Sequence, residues 1–174
     1  MKKTVDNTVT EYQWAGDLLL SEKTDGRIIW YCYDSQANLI FVTIRGITYF
    51  YVRNVQGDII ALVDADGKVV VKYTSDSWGK VIAVTGELAD TVGVQNPFRY
   101  KGYYYDNETG MYYLKSRYYD AEIKRFICAD GYFSTGVGKH DCNMFLYCNN
   151  NPIMNVDVNL SLIHISEPTR LRCI

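Results

Sequence analysis

From residue 9 to residue 84 the chain alternates short apolar or aromatic runs with turn residues, at intervals of about ten residues. The runs read VTEYQWA, LLLSE, RIIWYCY, NLIFVTI, ITYFYV, DIIALV, KVVVKY and KVIAV. Between them stand Ala15-Gly16-Asp17, Asp25-Gly26, Ser35-Gln36-Ala37, Arg45-Gly46, Gln56-Gly57-Asp58, Ala65-Asp66-Gly67 and Trp78-Gly79. Runs this short are below helix length, and Gly or Asp between them supplies the backbone that a tight reversal needs. The pattern predicts a mainly β fold, a meander of antiparallel hairpins. Composition agrees, because the chain holds 16 Tyr against 6 Phe, 3 Trp and 3 Pro. Tyrosine suits a half-buried pleated surface, where its ring packs and its hydroxyl reaches water or a partner.

The same composition narrows the function classes. Net charge is −2 and no cluster of Lys and Arg stands out, so this region lacks the footprint of a nucleic-acid binder. No window approaches the roughly 18 consecutive apolar residues of a membrane span, and Met1-Lys2-Lys3 leads into polar residues, not an apolar signal core. Cys32, Cys128, Cys142, Cys148 and Cys173 include no CxxC, which favours separate thiols over a metal site or a disulfide framework. His140 lies in a polar run and reads as an exposed loop residue. No cofactor is expected.

A longer period of about twenty residues lies beneath the hairpin rhythm. Residues 30–43, 49–67 and 71–84 share a Tyr, a polar turn, then Asn, Asp or Lys and an aliphatic pair. Hairpins that cannot bury their faces alone must stack on their neighbours, so this is a repeat array. Tyr33 is followed directly by Asp34, whereas Val52 follows Tyr51 and Thr74 follows Tyr73. Residues 85–96 break the alternation and read as a linker with one or two short helical turns around Glu87-Leu88-Ala89-Asp90. Residues 96–132 then bring the dense aromatic part: Tyr103-Tyr104-Tyr105-Asp106, a turn ending in Gly110, Met111-Tyr112-Tyr113-Leu114, then Arg117-Tyr118-Tyr119-Asp120 and Arg125-Phe126-Ile127. This predicts further strands closed by two turns.

The repeats resemble the YD repeats of the RHS family, and the dense part resembles its RHS repeat-associated core domain. The pattern F-R-Y-x-G-x-Y-x-D-x-x-T-G-L-Y-Y-x-x-x-R-Y-Y-D-P-x-x-G-R-F-I-x-x-D is met at Phe98, Arg99, Tyr100, Gly102, Tyr104, Asp106, Thr109, Gly110, Tyr112, Tyr113, Arg117, Tyr118, Tyr119, Asp120, Arg125, Phe126, Ile127 and Asp130. A downstream segment is met at Asn143, Phe145, Tyr147, Asn150, Asn151, Pro152 and Asp157. Two departures stand out: Ala121 and Lys124 replace the Pro and Gly of the family turn, so Lys124 carries strain if the backbone needs positive φ there. Val158 replaces the Pro that follows Asp157 in the family.

The resemblance implies repeat hairpins over 1–84, the linker over 85–96 and the core domain over 97–157, together part of a curled β-cocoon shell. It implies a shell-closing role around a variable C-terminal effector, often a toxin, in a secreted or cell-surface protein. The implied partners are the rest of the shell, that effector and an immunity protein against it. In several family members the core domain is an aspartyl self-protease. On that resemblance Arg117, Asp130 and Asp157 are the catalytic candidates, with two carboxyls sharing a proton beside an arginine. Against this, Arg117 could stack on rings and pair with Asp106 or Asp120, and Asp106, Asp120 and Asp130 could each serve a turn. A third reading is an adhesive module whose aromatic residues stack on sugars. Finally, residues 160–170 read LSLIHISEPTR, similar to the translation of a sequencing-library transposon-end adapter. Residues 158–174 are therefore read as non-native, and the isolated piece is expected to associate through uncovered strand edges.

Overall fold

A computed structural model of the chain describes residues 1–5, 8–129 and 145–155. Two compact units are present: Met1–Ser75 with Val81–Gly102, and Asp76–Lys80 with the chain from Tyr103 onward.

The first unit carries a nine-stranded antiparallel sheet in which every strand pairs with its sequence neighbours. The strands are β1 (Lys2–Val5), β2 (Thr8–Ala15), β3 (Leu18–Thr24), β4 (Arg27–Tyr33), β5 (Leu39–Ile44), β6 (Ile47–Arg53), β7 (Ile59–Val63), β8 (Val69–Ser75) and β9 (Val81–Thr85). β2 to β9 fall on the eight runs read from sequence; β1 adds a strand where only a polar lead was expected. Two kinds of connection recur, besides the Gly16-Asp17 turn, in which only Gly16 takes positive φ. Asp25-Gly26 and Arg45-Gly46 are two-residue turns with positive φ at both positions, which matches the strand twist. Residues 34–38, 54–58, 64–68 and 76–80 form longer loops that share one device. The first residue's side-chain oxygen accepts two backbone N–H groups: Asp34 from Gln36 and Asn38, Asn54 from Gln56 and Asp58, Asp64 from Asp66 and Lys68, Asp76 from Trp78 and Lys80, all at 2.8–3.0 Å.

A bulge precedes each of these loops, between Cys32 and Tyr33, Val52 and Arg53, Leu62 and Val63, and Thr74 and Ser75. Tyr33-Asp34 stands at this point of the first repeat, and Arg53-Asn54 and Ser75-Asp76 stand at the same point of the later ones. Tyr31, Tyr51 and Tyr73 each stand three residues before the loop-opening Asp34, Asn54 and Asp76, so the later repeats keep the loop-opening acid or its amide and lack the tyrosine directly before it.

The register places Tyr31, Val42 and Tyr49 in one cross-strand row and Tyr51, Leu62 and Val71 in another, with Tyr73 opposite Val84. That face is the core: Val42, Leu62 and Val71 are fully buried. Residues 86–102 lie on it, beginning with a single turn of π-helix at Ala89–Gly93 in the stretch read as a helical linker. The opposite face carries the row Cys32, Phe41, Phe50, Val63 and Val69.

The second unit contains a four-stranded antiparallel sheet, β10 (Tyr104–Asp106), β11 (Met111–Leu114), β12 (Arg117–Asp120) and β13 (Arg125–Phe126). All four strands lie where the aromatic runs predicted them. Asp106 and Asp120 open their turns by accepting the Glu108 and Glu122 N–H groups. Lys124 does adopt positive φ, 62°.

Gly86 is the point at which the chain leaves β9 for the core face. Its φ is 119°, and a Cβ there would overlap the Val70 carbonyl oxygen. Gly86→Ala is expected to lower stability by about 2–3 kcal/mol, read from urea unfolding, because both the backbone conformation and the space forbid the methyl.

Candidate functional site

Asn96 is completely buried, and its side chain joins the covering segment to the sheet. Its Oδ1 accepts the Tyr51 hydroxyl at 2.8 Å, and its Nδ2 donates to the Tyr73 hydroxyl at 3.1 Å and to the Phe98 carbonyl at 2.9 Å. Two tyrosines from different repeats thus converge on one amide. Tyr73 in turn donates to the Gly93 carbonyl at 3.1 Å. Around them, Phe98 packs edge-on against Tyr31 at 5.0 Å and the Arg99 guanidinium lies 5.6 Å from the Tyr73 ring. The Ile59 N–H donates to the Arg99 carbonyl, and the Lys101 N–H donates to the buried Asp58 carboxylate, both at 2.9 Å. Burial pushes the Tyr73 phenol up to about 12, against the hydrogen bond from Asn96 and the nearby Arg99 charge, which lower it. Burial raises Tyr51 well above its ordinary value. Nothing in the composition or spacing singled out Asn96; only the tyrosine period pointed toward its partners.

In the second unit, Tyr105, Tyr112, Tyr119 and Phe126 stand directly opposite one another across all four strands. Their rings follow at 4.9, 6.4 and 6.0 Å. Tyr147 lies against this ladder, 4.0 Å from Tyr119 and 5.6 Å from Phe126. Tyr118 faces the other way and meets Tyr113 at 5.3 Å, as strand alternation requires. After Tyr147 the backbone passes through a left-handed turn, with Cys148, Asn149 and Asn150 at φ 48°, 50° and 57°.

Arg117, the described member of the three catalytic candidates, belongs to this aromatic packing. It is 8% exposed, and its guanidinium carbon lies 3.7 Å from the centre of the Phe126 ring. That distance is a stacking contact, in which the planar cation lies on the negative face of the ring. Asp130 and Asp157 lie outside the described residues, as does His140.

Residues 20–153 match the family described as Teneurin YD-shell. The chain belongs to the YD-shell family. It is 39% identical over 161 residues to the tRNA3(Ser)-specific nuclease WapA of Bacillus spizizenii and 40% identical over 161 residues to the tRNA nuclease WapA of Bacillus subtilis. Each alignment covers 90% of this chain but 7% of the relative's length, so the chain spans a small part of those proteins. Among solved structures it is similar to the crystal structure of TcdB2-TccC3-Cdc42, with a TM-score of 0.69, 16% identity, and coverage of 90% of this chain and 8% of that one. That likeness shows the fold. The RHS/YD-repeat shell reading from sequence is thereby shown, and the mainly β architecture with it.

These geometries set three expected outcomes. Asn96→Ala removes the acceptor of the buried Tyr51 hydroxyl and a donor to Tyr73, and is expected to cost about 3 kcal/mol in urea unfolding. Below pH about 10 the Tyr73 phenol is protonated in folded and unfolded chains alike; above it the unfolded phenol ionises first, while the folded one holds its proton to about 12. Stability should fall across that window, by up to about 1.4 kcal/mol per pH unit for each such tyrosine, and Tyr73→Phe should flatten the pH profile. Arg117→Lys keeps the charge but loses the planar stack on Phe126, and is expected to cost about 1–2 kcal/mol in the same unfolding measurement.

Proposed function

We propose that this chain is a wall segment and the closing end of a hollow β-shell that encloses a variable C-terminal effector of toxin type. The observation that supports it is the asymmetry of the nine-stranded sheet. One face is covered by residues 86–102 through Asn96, Phe98 and Tyr100, while β1 and β9 stand at the sheet's two ends. A sheet built by adding one hairpin at a time offers an edge for the next and has no reason of its own to stop. The covering segment is what a terminal region would add.

The names of the two WapA relatives carry a nuclease activity, while the stretch they share with this chain is 7% of their length. With net charge −2 and no basic cluster, this segment suits the container of such an activity better than its tRNA-contacting part. Its partners on this reading are the remaining repeats of its own shell, the enclosed C-terminal effector and an immunity protein that meets the effector after release. Its place is a secreted or cell-surface protein. Self-processing by Arg117, Asp130 and Asp157 is assigned to the intact parent protein.

The test uses that parent. Limited proteolysis of the intact protein should leave the C-terminal effector uncut under conditions that digest it when expressed alone, and Asn96→Ala should restore its digestion. An effector equally sensitive in both forms would overturn the reading. In the same preparation, a cleavage near the core domain that persists in Arg117→Ala and in Asp130→Asn would remove self-processing from these residues.

A further inference from the structure

Residues 34–38, 54–58, 64–68 and 76–80 have the sequences DSQAN, NVQGD, DADGK and DSWGK on one backbone plan. The fourth residue takes positive φ in all of them, at Ala37, Gly57, Gly67 and Gly79. The Asp76–Lys80 loop differs in its surroundings, because it belongs to the second compact unit. Gly79 is buried, whereas Ala37 and Gly67 are exposed.

The contacts on this loop are of two physical kinds. The Tyr112 hydroxyl donates to the Gly79 carbonyl at 2.7 Å, and the Tyr119 hydroxyl donates to the Trp78 carbonyl at 2.8 Å. These bonds engage backbone, so any loop of the same plan could offer them. The other contacts read side chains. Lys124 Nζ lies 5.2 Å from the Trp78 ring, and Lys80 Nζ lies 2.7 Å from Glu122 Oε2. Lys124 and Glu122 both come from the turn between β12 and β13, where the chain departs from the family's Pro and Gly. The other three loops place Gln36, Gln56 and Asp66 at the third position, none of which offers a ring to Lys124. At the fifth position Asp58 would set a carboxylate against Glu122, Asn38 would offer no charge, and Lys68 has the charge but is paired with Glu87 at 2.6 Å.

We propose that the aromatic unit contains a loop-recognition site, formed by Tyr112, Tyr119, Glu122 and Lys124, whose ligand is a hairpin loop of this chain with an aromatic third residue and a basic fifth. The two hydroxyls supply affinity for the backbone plan. Lys124 and Glu122 supply selection, so that Asp76–Lys80 is taken and the three sister loops are not. This recognition stands apart from the encapsulation reading, since it concerns only the described residues of this chain.

Hydrogen exchange on the full chain, read by mass spectrometry, tests it. Converting the loop to the pattern of residues 54–58, with Trp78→Gln and Lys80→Asp, should speed exchange over residues 111–120 by about tenfold while strands β5 to β7 keep their rates. Adding Glu122→Lys to Lys80→Asp should recover at least half of the lost protection, because the ion pair is rebuilt with its charges exchanged. Tyr119→Phe should loosen the same residues by a similar factor whatever the loop sequence. Unchanged exchange over 111–120 in the converted loop overturns the proposal, and so does a Lys80→Asp, Glu122→Lys pair that exchanges as fast as Lys80→Asp alone.

Discussion

The side-chain cap at the start of each long loop is the interaction on which the first sheet depends. In a strand the side chains alternate, so a slip of one residue would turn every core position outward. Each repeat inserts a bulge just before its loop, which is such a slip, and the loop must absorb it reproducibly. Asp34, Asn54, Asp64 and Asp76 do so by holding two backbone N–H groups on one oxygen. With the loops thus set, Tyr31, Tyr51 and Tyr73 all arrive on the buried face. The convergence of Tyr51 and Tyr73 on Asn96 is possible only because two independent loops keep the same count.

Tyrosine then serves two purposes that phenylalanine could not combine. In the ladder Tyr105, Tyr112, Tyr119 and Phe126 the rings supply packing, and the member with no polar task is the phenylalanine. The hydroxyls of Tyr112 and Tyr119 end on backbone carbonyls, and those of Tyr51 and Tyr73 on a buried amide and a carbonyl. A buried hydroxyl with a partner contributes only about 1 kcal/mol, but without one it costs more than that, so each tyrosine tolerates one arrangement of its surroundings. The excess of tyrosine in the composition is therefore a source of uniqueness in a fold whose repeats would otherwise be interchangeable.

What was legible in the sequence follows the same division. The strands were, because apolar runs about ten residues apart leave little choice of element, and so was the aromatic sheet with Tyr118 and Tyr119 on opposite faces. The loop-opening role of Asn54 and Asp76 was hidden, because Arg53 and Ser75 stand directly before them where the first repeat has Tyr33. Asn96 was invisible, since its partners lie 45 and 23 residues away in the chain. Positive φ at Arg45, Lys101 and Lys115 was equally hidden, as these residues do not advertise it in the way glycine does. At Lys124 a departure from a known pattern did give the signal. Arg117 shows the limit for function: the residue type and motif were consistent with catalysis, while its guanidinium lies on the Phe126 ring, and the acids needed to decide its chemistry lie outside the described residues.

A repeat array propagates by a rule and must end by an exception. The capped, bulged hairpin is the rule, and nothing in it distinguishes the second copy from the third. The exceptions are all residues that break the period: Gly86, which turns the chain off β9; Asn96, which reads two tyrosines at once; the 98–101 segment, which uses its backbone to bind Ile59 and Asp58; and Trp78, which marks one loop among four. Each of these residues makes a contact that no repeating position of the array supplies.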